Sequence, residues 1–168
     1  MSKKWIAVIL GIMCFMLMLW SIVLASGIIK GVGLATAKKL VKKFGEETIE
    51  VINKLKEKYR VVIGSTADTY PLLKNMEDNN LSVHKVYTSE IIKTYKPDKK
   101  FYKYILENEK IDASEAIFIG DSLLDDVYGP SQLNITTILI DRKNNIVIND
   151  IKPDYVIHNL SELLDISF

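Results

Sequence analysis

The sequence has one cysteine, two histidines and almost no net charge. Cys14 has no partner for an internal disulfide, which excludes a disulfide-stapled fold. His84 and His158 lie far apart in strand-like segments, so the sequence predicts no zinc site. A net charge of +1 gives no sign of a broad polyanion-binding surface. Aspartate is also missing from the first part of the chain, where none precedes Asp68.

The first long segment is apolar. Between Trp5 and Ala25 only Gly11 and Ser21 interrupt the run, and as a helix it would be about 31 Å long, which matches a bilayer core. We therefore predict a transmembrane or signal-anchor helix within residues 1–28, with a cleaved secretory signal as the alternative. More lysines follow the run than precede it, which predicts a membrane-anchored protein with its globular part in the cytoplasm; a wholly cytoplasmic protein is the alternative.

Residues 29–45 combine closely spaced glycines with lysines. One interpretation is a basic amphipathic juxtamembrane helix whose lysines contact anionic headgroups. The Gly31-Val32-Gly33 pattern also resembles helix-hairpin-helix proteins, whose glycines let backbone N–H groups approach a DNA phosphate. A single short copy beside an apolar run favours the first interpretation, so nucleic acid is disfavoured as a partner.

From Glu46 onward, strand-like and helix-like segments alternate. The strand-like segments are residues 60–65, 83–87, 116–119, 137–141 and 155–157. Helical patterns cover residues 46–58, 68–79, a segment opening at Pro97, residues 122–133 and a segment from Ser161. This alternation predicts right-handed βαβ crossovers and an α/β fold, with a doubly wound, mostly parallel sheet in a core domain over residues 46–168.

The segment 116–126 carries the densest group of acids. Four apolar residues are typical of a buried strand, Gly120 ends the run, and three carboxylates follow: Asp121, Asp125 and Asp126. Ligands bind beyond the carboxyl ends of strands in open α/β sheets, and a cluster of acids there favours Mg²⁺. Acids that complement the dipole at a helix start are the alternative interpretation.

Three segments, in order, resemble motifs of the haloacid dehalogenase-like hydrolases, which are mostly Mg²⁺-dependent phosphatases. They are Val61-Val62-Ile63-Gly64-Ser65-Thr66-Ala67-Asp68 for motif II, Tyr95-Lys96-Pro97-Asp98 for motif III, and Gly120-Asp121-Ser122-Leu123-Leu124-Asp125-Asp126 for motif IV. The resemblance covers roughly residues 46–166, the C-terminal part of that family's core domain. It implies a Rossmann-like sheet and a small phosphorylated substrate.

The resemblance also implies a role for each polar residue. Ser65 and Lys96 would be catalytic, and the phosphate would be bound by Ser65, Thr66 and Lys96. Mg²⁺ would be held by Asp121, Asp126 and Asp125. Such residues suit phosphoryl transfer, in which catalysis is mostly positioning and charge neutralisation. Structural alternatives are a helix N-cap at Ser65 and a solvated loop lysine at Lys96.

Motif I of the family, a strand ending in Asp-x-Asp, has no counterpart here. Its first aspartate is the nucleophile and its second is the general acid and base. If residues 5–13 align with it, Gly11 and Met13 occupy the two aspartate positions. We therefore expect an incomplete core, as in a truncated phosphatase, with impaired hydrolysis. The alternatives are a non-catalytic, membrane-anchored binding module and, more weakly, membrane-tethered DNA binding through residues 29–45.

In the family, the motif I strand lies between the strands of motifs II and IV, so its loss would leave backbone groups unpaired. Three solutions follow. Residues 5–11 serve as the strand, or residues 61–64 and 116–119 pair directly, or the chain is a fragment to which a partner chain could donate the strand. The apolar character of residues 12–25 favours a membrane helix over the first solution.

Overall fold

The computed structural model describes residues 34–144, 146 and 150–166, with side chains from residue 46 onward. This part of the chain contains five strands and four α-helices of four or more residues. In order they are α1 (Leu34–Lys58), β1 (Val62–Ser65), α2 (Thr69–Asp78), β2 (Lys85–Thr88), α3 (Ser89–Ile92), α4 (Lys99–Glu109), β3 (Ile117–Gly120), β4 (Thr136–Ile140) and β5 (Tyr155–Ile157). Shorter helical turns cover Ala113–Glu115, Gly129–Ser131 and Leu160–Leu164, and a π-helix covers Leu123–Tyr128. The predicted α/β class with parallel strands is confirmed.

Within the described residues, the strands form two parallel groups that do not pair with each other. β1 pairs with β2, and β4 lies between β3 and β5, with every pairing parallel. β1 and β3 do not pair with each other. The predicted solution in which residues 61–64 and 116–119 pair directly is therefore wrong.

Apolar clusters cover both faces of these strands. Ile63 of β1 and Ile119 of β3 belong to one cluster, with α1, α2 and the C-terminal helical turn. Val62 of β1 and Phe118 of β3 belong to the other cluster, with α4. Because each strand sends alternate side chains to both clusters, β1 and β3 lie in the same layer.

The helix predicted over residues 122–133 is absent as such. A π-helix follows β3, and a single helical turn follows it. Pro130 has no N–H to donate to the carbonyl four residues earlier, so an α-helical ladder cannot run through this point. The Ser122 hydroxyl accepts a hydrogen bond from the Asp125 N–H at 3.1 Å and caps the π-helix.

Other boundaries shift in a less consequential way. α1 begins at Leu34 and passes without a break through residue 45, where the sequence placed a domain boundary. α3 was not predicted, and the C-terminal helix is a 3₁₀ turn that begins at Leu160 rather than Ser161. The predicted membrane helix and residues 29–33 of the basic segment lie outside the described residues. Within the described ranges, no helix combines the length and apolarity that crossing a membrane requires.

Candidate functional site

β3 ends at Gly120, and the missing side chain there makes room for Asp126. A methyl group on Gly120 would lie 2.2 Å from the Asp126 carboxyl carbon. The Asp126 side chain folds back from the π-helix, and its Oδ2 accepts a hydrogen bond from the Ser122 N–H at 3.1 Å. The segment after β3 therefore closes on itself around one fixed carboxylate.

Lys96 provides the charge that balances Asp126. Its Nζ lies 2.7 Å from Asp126 Oδ1, and the two side chains are only 4% and 1% exposed. The ammonium group also lies 5.6 Å from the centre of the Phe118 ring. The solvated-loop interpretation of Lys96 is therefore wrong, because the lysine joins the loop before α4 to the end of β3. Two of the three recognised motifs meet in this ion pair.

The two other acids of this segment lie in the field of the pair. Burial raises the pKa of Asp121 to about 6; the negative charge of Asp126 adds to the rise, whereas Arg142 and Lys96 oppose it. Burial also raises the pKa of Asp125, against the opposing effect of Lys96. One lysine thus does not neutralise three neighbouring acids, and an additional cation would stabilise the ionised form of Asp121.

Ser65 and Thr66 stand at the end of β1. Ser65 is buried, and its hydroxyl oxygen accepts a hydrogen bond from the Ala67 N–H at 3.1 Å. It does not cap a helix, because the N-cap residue of α2 is Asp68. Thr66 is exposed. Among the described residues, no hydrogen bond or ion pair links Ser65 or Thr66 to the lysine or the acids at the end of β3.

The predicted Mg²⁺ ligands are not equivalent. Both Asp126 oxygens are occupied, one by Lys96 and the other by the Ser122 N–H. No group of three or more histidine, cysteine, aspartate or glutamate side chains within the described ranges could hold a metal ion. Asp121 is the carboxylate that suits a metal ligand, because burial and Asp126 disfavour its charge. A single carboxylate fits Mg²⁺ only where water and a substrate phosphate supply the other ligands.

Two further residues shape this site, and neither is among those predicted from the sequence. The Tyr102 hydroxyl donates a hydrogen bond to the Asp125 carbonyl, and its ring packs edge-on against Phe118 with centroids 5.0 Å apart. Arg142 follows β4 and opposes the rise in the pKa of Asp121. The strand-end rule would have found Arg142 had it been applied to β4 as well as to β3, whereas no sequence signal pointed to Tyr102.

The first prediction concerns the space at Gly120. Gly120→Ala should push Asp126 away and weaken the Lys96 ion pair, so we expect the free energy of unfolding to fall by about 2 kcal/mol or more. Urea denaturation followed by circular dichroism measures this change. Leu124→Ala is the control, since Leu124 is 51% exposed in the same segment and its loss should change stability by about 0.5 kcal/mol or less. Equal effects of the two substitutions would contradict the steric argument.

A second prediction concerns pH. The pKa of Asp121 lies above its unfolded value of about 3.9, so the stability that depends on its proton is present below pH 4 and lost as the pH rises past about 6. In EDTA, Asp121→Asn should therefore raise the free energy of unfolding at pH 7 by about 1–2 kcal/mol, less than the full pKa shift implies because solvent screens this partly exposed group, and change it little at pH 4. Urea titrations at both pH values check this. The exposed Asp150→Asn is the control, and a gain that persists at pH 4 would contradict the assignment.

Comparison with known proteins gives the family. A family model described as haloacid dehalogenase-like hydrolase matches residues 28–140, about two thirds of the chain. The chain belongs to the haloacid dehalogenase-like (HAD) hydrolase family. The order of its three motifs along this HAD chain and the meeting of Lys96 with Asp126 at the end of β3 agree with that assignment.

Two curated proteins are similar to this HAD chain in sequence. A glyceraldehyde 3-phosphate phosphatase of Methanocaldococcus jannaschii is 33% identical over 82 residues, which cover 48% of this chain and 36% of that protein. The Bacillus subtilis protein YfnB, named as a HAD-hydrolase, is 25% identical over 120 residues, covering 70% of this chain and 51% of YfnB. The HAD chain thus spans about a third to a half of the length of these relatives.

Solved structures agree on the fold. A magnesium-bound crystal structure of YfnB superposes with a TM-score of 0.69 at 21% identity, covering 79% of this chain and 60% of that one. A HAD phosphatase from Thermococcus onnurineus has the same TM-score and identity, with 98% of this chain and 97% of that chain covered. At this level of identity, the likeness establishes the HAD fold and nothing finer.

Proposed function

We propose that the chain binds a phosphomonoester at the carboxyl ends of β1 and β3 and hydrolyses it very slowly or not at all. The observation that carries the proposal is the buried Lys96–Asp126 pair beside Asp121, at the end of a parallel strand of a HAD fold. This edge is where α/β sheets bind ligands. The same edge holds the fixed positive charge of Lys96 and the carboxyl group of Asp121, whose ionised form a bound cation would stabilise.

The phosphate-binding part of the proposal rests on three residues. Lys96 uses one of the three donors of its ammonium group on Asp126, which leaves donors for a phosphate oxygen. Ser65 accepts a hydrogen bond from the Ala67 N–H and keeps its own hydroxyl proton to donate. Thr66 adds an exposed hydroxyl directly after it. Together they would orient a dianionic phosphate and neutralise part of its charge.

Mg²⁺ would join this site through Asp121, with Asp125 in its surroundings. Asp126 is better assigned to positioning, because it holds the Lys96 ammonium and the turn after β3 in place. When bound, Mg²⁺ would neutralise negative charge on the phosphate. The described residues offer Mg²⁺ one suitable carboxylate. We therefore expect Mg²⁺ and phosphate to bind cooperatively, each raising the affinity of the site for the other.

The proposed slow or absent hydrolysis follows from the lack of an aspartyl nucleophile in the sequence. An aspartyl nucleophile would have to precede β1, and no aspartate occurs before Asp68. Ser65 is not a substitute, because no described base contacts its hydroxyl. The chain keeps groups that bind and orient phosphate and lacks a group that attacks phosphorus. A phosphate-binding protein with little or no turnover is therefore the function that these residues support best.

The experiment is a turnover assay of the full chain. Glyceraldehyde 3-phosphate is one substrate, chosen from the Methanocaldococcus relative, and p-nitrophenyl phosphate is the general one. With millimolar Mg²⁺ we expect no phosphate release above the buffer rate. Turnover at about 1 s⁻¹ or faster that Asp121→Asn abolishes would overturn the proposal. Turnover at the same rate in Asp121→Asn that disappears on further purification comes from a contaminating phosphatase, whereas turnover that persists in both purified chains would also overturn the proposal.

A further inference from the structure

Arg142 brings a second positive charge to the edge of the sheet that holds Asp121. β4 pairs with β3 in parallel, with Leu139 opposite Gly120, so the chain leaves both strands at the same edge. Arg142 comes two residues after the end of β4, as Asp121 comes directly after β3. The guanidinium is near enough to Asp121 to oppose the rise in the pKa of that residue. Arg142 therefore belongs to the surroundings of the proposed phosphate site.

The Arg142 guanidinium forms no hydrogen bond or ion pair with the described residues. Lys96 is paired with Asp126, and Arg60 is paired with Glu109, but no described carboxylate lies within ion-pair distance of Arg142. Arginine stays charged at physiological pH and presents five N–H donors in a planar fork. The side chain is half-buried, so water reaches only part of it. Its donors are therefore available to an anionic group of a ligand.

The backbone that carries Arg142 is held in place by the residues around it. The Asp141 N–H donates to the Ile157 carbonyl at 2.8 Å, and the Asn144 N–H closes a turn on the Asp141 carbonyl at 3.2 Å. The Asp141 carboxylate accepts a hydrogen bond from the Ile146 N–H at 3.0 Å. A side chain that starts from a fixed backbone loses less freedom when it binds a ligand, which suits a residue that determines specificity.

The strand arrangement separates Arg142 from the hydroxyl groups proposed to hold the phosphate. Ser65 ends β1, whereas Arg142 follows β4. Both edges of β4 are occupied, by β3 and β5, so β1 lies at least two strand spacings, about 10 Å, from β4. A phosphate bound by Ser65 and Lys96 therefore leaves Arg142 to bind a different part of the same ligand.

We infer that the Arg142 guanidinium binds a carboxylate on the organic part of the phosphomonoester, so that the chain prefers ligands with a second acidic group. This assignment rests on the proposed function, because it concerns the ligand of the same site. A carboxylate matches the planar fork of arginine through two parallel N–H···O bonds. It also carries a single negative charge, whereas a second phosphate would bring up to about two charges close to Asp121 without a further cation.

The test is calorimetric titration of the full chain with two ligands that share a phosphate and a three-carbon skeleton. 3-Phosphoglycerate ends in a carboxylate, and glycerol 3-phosphate ends in a neutral hydroxymethyl group. Without Mg²⁺, we expect the wild type to bind 3-phosphoglycerate at least about tenfold more tightly than glycerol 3-phosphate. Arg142→Met should abolish this preference and change the affinity for glycerol 3-phosphate less than about threefold.

Matched variants make the result specific to the guanidinium. Lys143→Met removes an exposed cation from the next position of the same turn and should alter the preference less than about twofold. Arg142→Lys keeps the charge but loses the planar fork, so it should retain only part of the preference, about threefold. Circular dichroism checks that each variant folds, and Arg142→Gln is the neutral variant to measure if Arg142→Met does not fold.

Equal affinity of the wild type for the two ligands would overturn the inference, as would a preference that survives in the neutral variant or falls equally in Lys143→Met. Equal weakening of both ligands in the neutral variant would mean that Arg142 acts on the phosphate. A preference that appears only when Mg²⁺ is added would assign the carboxylate to the metal. If inorganic phosphate binds without any preference for 3-phosphoglycerate, only the inference fails, whereas no binding of phosphate or of either ester would overturn the proposed function as well.

Discussion

Lys96→Met is expected to lower the free energy of unfolding by about 3–5 kcal/mol, which for a domain of this size is a large part of its total stability. The substitution removes the partner of Asp126 and leaves a carboxylate whose side chain is 1% exposed without its cation. Methionine keeps most of the packing volume against Phe118, so the loss reports mainly on charge. Urea denaturation followed by circular dichroism measures this change in the free energy of unfolding.

Two comparisons isolate the ion pair. Lys99→Met removes an exposed lysine at the start of α4 and should change stability by about 0.5 kcal/mol or less. The double variant Lys96→Met/Asp126→Leu removes both charges and should recover part of the loss, because no unpaired charge remains. A loss below about 1 kcal/mol for Lys96→Met would contradict the burial of the pair.

The second large effect is a gain of activity. If residues 5–13 align with the family's motif I, Gly11 and Met13 stand at its two aspartate positions. Gly11→Asp/Met13→Asp then supplies the nucleophile and the general acid that the family's motif I carries. We expect Mg²⁺-dependent hydrolysis of p-nitrophenyl phosphate to rise at least about a thousandfold over the wild-type rate.

Matched variants distinguish the effect of the carboxylate groups from the effect of side-chain shape in this experiment. Gly11→Asn/Met13→Asn keeps the shape of the side chains and should remain inactive, and Gly11→Asp alone should gain less than the double variant, because it lacks the acid for the leaving group. A rise in the Asn variant as large as in the Asp variant would contradict the nucleophile assignment. No rise in the double Asp variant, with its circular dichroism spectrum unchanged, would contradict the alignment of residues 5–13 with motif I.

The elements that repeat a strong local pattern could be predicted from the sequence. Ala116 to Ile119 is a continuous apolar run closed by Gly120, and it forms β3 within one residue of its predicted start. The Lys96-Pro97-Asp98 segment and the acids after Gly120 indicated a shared site because both follow the family's order, and Lys96 and Asp126 are in contact. Apolar periodicity and strand ends depend on neighbouring residues, and motif order is read along the chain. These features could therefore be predicted without knowing which segments pack together.

Features that depend on which segments of the chain contact each other in the fold could not be predicted. The acids at 121, 125 and 126 look alike in sequence, yet Asp126 is bound by Lys96 and the Ser122 N–H, while burial and the charge of Asp126 raise the pKa of Asp121. The π-helix after Ser122 depends on Asp126 folding back over Gly120 and on Pro130, and an apolar pattern does not encode either contact.

The central claim is that the edge formed by β1 and β3 binds phosphate without consuming the ester. Calorimetric titration of the full chain with inorganic phosphate, in the presence and absence of Mg²⁺, tests it most directly. We predict saturable one-to-one binding that Mg²⁺ tightens, with affinity at least about tenfold weaker in Ser65→Ala and with the Mg²⁺ effect lost in Asp121→Asn. No saturable binding, or binding that both substitutions leave unchanged, would contradict the claim.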